Sequence, residues 1–231
     1  MRSHDYCCQN NFEHLTRKAG RSIIRARSGL GRPLPRVPLH RLIGGLSISL
    51  PLVLTIGNFI SAGTPPPGSL SGYYYTDMRN FFIGGLCALG VFLLAYRGPE
   101  RLDTLITDCA GTSLIMVALC PTRPPVGGHP LTAQQNVVGG LHDFFAIIAP
   151  LALGVMALRL ARARRRPGAT IHRACAMTIF SSLLFAIISS FIFSSIHVNP
   201  RALLACEVLT MFASGTSWLT ARRVHGSPAS A

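Results

Sequence analysis

Polar and ionisable side chains of this 231-residue chain lie inside, or close to, long apolar stretches of sequence, and six of them are candidates for a functional site. An ionisable group is costly inside a membrane, and it is a candidate for function when it occurs there. Carboxylate, imidazole and carboxamide groups placed together could bind a lipid headgroup or a small molecule, or serve as acid and base in a hydrolysis. The six candidates are Asn58, Tyr74, Arg79, His142, Asp143 and Glu207.

Three of these candidates are expected at a similar depth below the outer membrane surface. Asn58 lies four residues from the outer end of the first apolar stretch, and His142 and Glu207 each lie five residues into a later one. At about 1.5 Å of rise per residue, these positions are roughly 6 to 8 Å deep. We therefore predict a polar layer near the outer leaflet, with Tyr74 and Arg79 as its rim. A pairing of Glu207 with Arg79 or with His142 would lower the cost of burying the carboxylate.

A metal ion is an alternative occupant of this polar layer. Zinc needs three or four protein ligands. The candidate ligands are His142, His197 and Glu207, completed by Asp77 or Asp143. A membrane-embedded lipid hydrolase would then use His142 as base or ligand and Glu207 as acid or ligand. No close-spaced pair of ligands marks the site, so the sequence assigns no cofactor.

The seven cysteines give no sign of a metal site, because none forms a C-x-x-C pair or has zinc-site spacing. Most lie within apolar stretches, where a thiol behaves as a small hydrophobe. Cys120 and Cys206 are both expected near the outer face, so the sequence does not decide whether they form a disulfide.

The elements that must position these groups are six apolar stretches. The chain is 49% hydrophobic and 13% charged, with a mean hydropathy of +0.40, whereas a soluble domain carries about 25% charged residues. A membrane-spanning helix needs about 20 apolar residues, and 17 to 25 are tolerated. The sequence thus predicts an all-α integral membrane bundle of about six transmembrane helices. The predicted spans are 42–62, 80–96, 102–119, 137–160, 174–196 and 202–221.

The distribution of Lys and Arg predicts the orientation of this bundle. With both termini in the cytoplasm, 19 of the 22 basic residues face inward, as the positive-inside rule requires. The three left outside are Arg79, Arg123 and Arg201. This arrangement accounts for the net charge of +14 without a nucleic-acid partner. Asp108, in the inner half of the third span, could pair with an arginine near the inner boundary.

The segments outside the spans are interpreted as tails and loops. Residues 1–41 form a basic cytoplasmic tail, which we expect to be flexible because its prolines disfavour helix, and residues 222–231 form a second short tail. The first tail and the 159–173 loop are predicted to bind anionic lipid headgroups. The first apolar stretch begins near Leu42, too far along the chain for a cleavable signal peptide. We therefore predict a multi-pass protein of the cytoplasmic (inner) membrane; the sequence does not indicate its oligomeric state.

Two prolines suggest a transporter as a further alternative. Pro51 and Pro150 lie in the middle of the first and fourth predicted spans, which would correspond in two inverted three-helix halves. Interrupted helices at matching positions are a pointer to a transport site. A proline kink alone is the other explanation, and the two halves show no similarity in sequence.

Several segments together resemble a family of bacterial six-span membrane proteins catalogued as domain of unknown function 998. The segments are Ser69–Arg97, Leu119–Thr122, Gly139–His142, Glu207 and Ser217–Leu219. The resemblance covers roughly residues 42–220, and it implies a six-helix membrane architecture without an assigned reaction. The family often has His where this chain has Tyr75, and Asp where this chain has Asn80. That departure weakens a metal or catalytic function at this segment. The sequence therefore favours a non-enzymatic membrane protein that binds a small molecule or lipid headgroup in the outer polar layer.

Overall fold

A computed structural model describes residues 38–124, 131–163, 168–192 and 201–221. These residues contain six α-helices and one short 3-10 helix at Ser71–Tyr75, without any β-strand, which confirms the predicted all-α fold. The helices are α1 (Leu39–Ala62), α2 (Arg79–Ala95), α3 (Arg101–Leu119), α4 (Ala133–Arg162), α5 (Gly168–Ile192) and α6 (Arg201–Thr220).

Five of the six helices are long and apolar enough to cross a membrane, and α2 is the exception. At 17 residues, α2 is about 26 Å long, somewhat short of a hydrocarbon core of about 30 Å. Large apolar side chains point outward from the bundle, among them Ile60, Phe81 and Met177. In water such an apolar surface would be an aggregation liability, and the helices are accordingly those of a multi-pass membrane protein in a lipid bilayer.

The helix bounds differ from the predicted spans mainly at the helix starts, and α5 begins at Gly168 instead of 174. Helix α1 begins at Leu39, so the predicted tail boundary at residue 41 lies inside a helix. Pro38 is the N-cap of this helix, and the Arg41 N–H donates to the Pro38 carbonyl at 2.8 Å. Helix α4 begins at Ala133 instead of 137, because Thr132 and Gln135 form a capping box at its start. The described part of α5 ends at Ile192, and residues 1–37, 193–200 and 222–231 lie outside the described residues.

The helices form a closed ring. Each helix packs against its neighbours in the chain, and α1 packs against α6, which closes the ring; α4 also touches α6 across it. Two glycine pairs allow close approach. A Cβ atom on Gly44 would lie 2.8 Å from the Gly215 carbonyl oxygen, and one on Gly90 would lie 2.7 Å from the Gly111 carbonyl oxygen. Backbones can approach this closely only where neither residue has a side chain, as at many membrane helix contacts.

The two ends of the ring are named here by the residues they carry. The tyrosine end holds the α1–α2 connection with Tyr73 to Tyr75, the α3–α4 connection and the start of α6. The arginine end holds the α2–α3 connection with Arg97, the start of α1 and the end of α4. The sequence predicts that the tyrosine end faces outward, and this orientation stays a prediction.

An ion-pair network closes the arginine end. The Arg159 guanidinium at the end of α4 donates to Asp103 in the first turn of α3, and its Nη2 donates to Glu100 Oε2 at 2.6 Å. The Asp103 side chain is 7% exposed. Glu100 and Asp103 also cap the start of α3. Arg159 was predicted to belong to a lipid-binding loop that begins at residue 159, whereas it lies inside α4 and pairs with these acids.

Further contacts complete this end of the bundle. Tyr96 and Trp218 pack edge to face with centroids 4.9 Å apart, and His172 Nδ1 lies 2.9 Å from the Ser217 hydroxyl. Asp108 pairs with Arg97 at 3.0 Å. Asp108 therefore pairs with an arginine at the arginine end, as predicted, and the placement of this end at the inner boundary stays a prediction.

Candidate functional site

A cavity of about 480 Å³ lies inside the ring, in the half nearer the tyrosine end. All six helices contribute to its wall, and its size falls in the range of small-molecule sites. The part of the wall that lies deeper in the bundle is apolar apart from the hydroxyl groups of Ser182 and Thr210. Its main apolar residues are Leu50, Leu86, Leu114, Leu153 and Met211.

Polar groups gather at the end of the cavity that lies nearest the tyrosine end of the bundle. They come from α4, from α6 and from the two connections that cover this end. The lining residues with polar side chains there are Ser69, Ser71, Thr122, Arg123, His142, Asp143 and Glu207. The cavity thus has a polar head region at one end and an apolar body. This distribution of polarity matches that of an amphiphile.

Glu207 attaches the α1–α2 connection to helix α6. Its Oε2 accepts a hydrogen bond of 2.5 Å from the Leu70 N–H, and the Leu204 N–H donates to the Gly68 carbonyl at 3.0 Å. Among the described residues, no Lys, Arg or His nitrogen forms an ion pair with this carboxylate. The predicted pairings with Arg79 and with His142 are therefore wrong, because both side chains have other partners.

His142 joins the end of α3 to α4. The ring is nearly buried, at 4% exposure, and its Nδ1 lies 2.7 Å from the Cys120 carbonyl oxygen. A carbonyl only accepts, so Nδ1 carries the hydrogen, and Nε2 is the acceptor of the neutral ring. Cys120 caps α3, where the last carbonyls lack partners within the helix. The imidazole therefore supplies a missing donor and presents an acceptor to the site it lines.

Asp143 pairs with Arg123 at the rim of the cavity. Both side chains are substantially exposed, at 52% and 41%. A Cβ atom on Gly139 would lie 2.6 Å from Arg123 Cγ, so the arginine stem passes over α4 at a point where no side chain obstructs it. Sequence reasoning treated Arg123 only as an outer-loop charge. The available signal was the spacing of four between Gly139 and Asp143, which places a gap and a carboxylate on one helix face.

Asn58 does not line the cavity. It is 2% exposed, and its Nδ2 donates to the Thr64 carbonyl at 3.2 Å. The same turn contains Gly63 in the left-handed conformation, with φ of 59° and its N–H bonded to the Phe59 carbonyl. Asn58 therefore stabilises the end of α1 and its exit turn, since Gly is the residue best suited to a left-handed C-terminal cap.

Tyr74 and Arg79, the predicted rim, form a contact of their own outside the cavity lining. Arg79 Nη2 donates to the Tyr74 hydroxyl at 2.6 Å, and the guanidinium lies 4.2 Å from the ring centroid. Tyr73, in contrast, is fully buried and donates to the Thr55 hydroxyl at 3.2 Å. Burial raises the pKa of the Tyr73 phenol, which keeps it protonated as the donor that holds the 3-10 helix on α1.

Within the described ranges, no three His, Cys, Asp or Glu side chains are close enough to hold a metal ion together. His142 and Glu207 belong to that part of the chain, whereas His197 lies outside the described residues. Cys120 and Cys206 are both free thiols.

The two helix prolines do not interrupt their helices. Helix α1 is continuous through Pro51, and α4 is continuous through Pro150. Pro150 lines the cavity. The broken-helix geometry that points to a transport site is therefore absent from α1 and α4.

Comparison with known proteins adds no assignment, since no protein-family model, curated protein or solved structure matches the chain.

Proposed function

We propose that this chain is a six-span protein of the cytoplasmic membrane that binds a small amphiphile or a lipid headgroup in the cavity near its tyrosine end. The proposal includes membership of the family called domain of unknown function 998, which the sequence resembles. The observation that carries the function is the cavity itself, whose polar head region and apolar body are built from six helices.

The polar groups of the cavity favour a binding site over a packing contact. A polar cluster that only stabilises a membrane bundle is expected to satisfy its own charges, because unpaired charge is costly there. Glu207 instead has one backbone donor and no cationic partner among the described residues. It also faces open space large enough for a ligand.

The alternatives have less support from the described residues. A zinc-dependent lipid hydrolase needs a ligand cluster, and His142 and Glu207 are not joined by a third ligand there. A transporter built on interrupted helices would need breaks at Pro51 and Pro150, where α1 and α4 are continuous. A binding protein requires neither feature.

The binding proposal can be tested by filling the cavity. Leu114 lines the apolar body and is 6% exposed, whereas Leu105 on the same helix is 65% exposed and points outward. We expect an amphiphile to co-purify with the unaltered chain and to be detectable by native mass spectrometry. Leu114→Trp should abolish this bound amphiphile, and Leu105→Trp should leave it unchanged. Equal occupancy in both variants, with both proteins folded by size-exclusion chromatography, would contradict the proposal.

The orientation can be tested with reporters fused to the C-terminus. Arg97, Arg101, Arg162 and Arg173 are exposed at the arginine end, and the positive-inside rule places this end in the cytoplasm. A fluorescent protein fused after residue 231 should fluoresce, and alkaline phosphatase fused there should be inactive. The reverse result would invert the bundle and move the proposed site to the inner leaflet. The described arginines at this end are also the proposed contacts with anionic lipid headgroups.

A further inference from the structure

The polar head region of the cavity has a charge imbalance. Its charged residues are Arg123, Asp143 and Glu207. Arg123 and Asp143 neutralise each other at the exposed rim, which leaves Glu207 without a cation among the described residues. The head region therefore carries one uncompensated carboxylate when Glu207 is ionised.

The hydrogen-bonding groups show the same bias. A carboxylate only accepts hydrogen bonds. The Leu70 N–H donates to Oε2 of Glu207, and Oε1 remains as an acceptor for a ligand. The His142 Nδ1 hydrogen is taken by the Cys120 carbonyl, so Nε2 accepts whenever the ring is neutral. The Ser69 and Ser71 hydroxyls bond each other at 3.1 Å, and Ser69 Oγ also accepts from the Gly72 N–H. Together they have more lone pairs than hydrogens left for a ligand. A ligand head rich in donors therefore fits better than one rich in acceptors.

The apolar body of the cavity contributes little to this choice. An alkyl chain is as well solvated among lipid tails as among the leucines of the cavity, so moving it from the bilayer gains little free energy. The preference of the cavity must then be set by its polar head region. Charge complementarity there governs specificity.

We infer that the cavity selects amphiphiles that carry a single cationic, hydrogen-bond-donating head, such as an alkyl ammonium, over neutral or anionic amphiphiles with the same chain. The ammonium lies against Glu207, with the His142 Nε2 and the Ser69–Ser71 hydroxyls as further acceptors, and the alkyl chain extends toward Leu114 and Leu153. This inference rests on the proposed binding function and adds the class of ligand.

The test compares three probes with one chain length: lauryl amine, lauryl alcohol and lauric acid. Each is titrated into the full chain in nanodiscs of zwitterionic lipid, and binding is measured by native mass spectrometry and by the shift in Tm. We expect the amine to bind roughly tenfold or more tightly than the alcohol, the effect of a hydrogen bond to a charged group, and the acid to bind most weakly.

Two variants that each remove one carboxylate from the same head region serve as a matched pair. Glu207→Gln keeps an acceptor for the Leu70 N–H, and it should abolish the preference for the amine while leaving alcohol binding in place. Asp143→Asn frees Arg123 at the rim, and it should strengthen binding of the acid while the amine still binds more tightly than the alcohol.

The outcomes separate this inference from the function on which it rests. Equal binding of amine and alcohol by the unaltered chain, or a preference that persists in Glu207→Gln, overturns the choice of ligand but leaves amphiphile binding intact. If none of the three probes binds, and Leu114→Trp changes nothing that co-purifies, both proposals fail. The comparison of probes on the unaltered chain needs no variant to fold.

Discussion

The two ends of the bundle handle buried charge in opposite ways. At the arginine end, Arg159 bridges Asp103 and Glu100, so the acids in the first turn of α3 share a cation from α4. At the tyrosine end, Glu207 on α6 contacts one backbone N–H of a connection and faces a cavity. In the first arrangement both carboxylates contact a cation. In the second, the carboxylate has no cation among the described residues and borders open space.

The packing of the helices follows the same division. Helices α1 and α6 approach closely at the arginine end, where Gly44 and Gly215 face each other. Toward the tyrosine end, Leu50 and Leu54 of α1 and Met211 of α6 line the cavity instead of closing it. The arginine end is therefore closely packed, whereas the tyrosine end holds the cavity of the proposed ligand site.

The largest expected effect is on the closed end. Arg159→Ala leaves the Asp103 carboxylate buried without its cation, which is among the most destabilising changes known for an ion pair. We expect Tm in detergent to fall by roughly 10 °C. Arg162→Ala, one turn away and exposed, is the control and should change Tm by no more than roughly 2 °C. Similar melting curves for the two variants would show that the network does not hold this end together.

A second prediction concerns the close approach of α1 and α6. Gly44→Val places a side chain against the Gly215 carbonyl and Leu219, and such overpacking costs about 1 to 3 kcal/mol. Gly45→Val is the matched control on the next residue, because a Cβ atom there has no neighbour within 4 Å. We expect a clear loss of thermal stability for Gly44→Val alone. Equal stability of both variants would mean that the helices can separate at this end without loss.

Sequence reasoning located the elements well because each long apolar stretch has one favourable solution in a membrane, a helix. The count of residues from a helix end also placed His142 and Glu207 at a common depth, and both line the cavity. Depth does not specify direction around a helix, however. Asn58 lies four residues before the end of α1, as predicted, and its side chain turns toward Thr64 in the exit turn of that helix.

The long-range partners could not be read from the sequence. Arg159 and Asp103 are 56 residues apart and pair because α3 and α4 are antiparallel neighbours, yet the sequence marks Arg159 only as a loop charge. Arg123 likewise reaches Asp143 because the α3–α4 connection crosses Gly139. Hydropathy patterns carry no information on such pairings, since they depend on how the helices rotate when they pack.

The smallest expected effect decides whether the two ends differ as described. Glu207→Gln removes the charge of an unpaired carboxylate and keeps an acceptor for the Leu70 N–H. Asp103→Asn makes the same chemical change at the other end, but there it removes the buried negative charge that pairs with Arg159. We expect Tm to stay within roughly 2 °C or to rise for Glu207→Gln, because an uncompensated charge is lost. For Asp103→Asn we expect Tm to fall.

If Glu207→Gln is as destabilising as Asp103→Asn, the glutamate is a structural group like the aspartate, and the tyrosine end is a packing contact instead of a binding site. The two melting curves, measured without added amphiphile, would therefore distinguish a polar group that holds helices together from one that is available to a ligand.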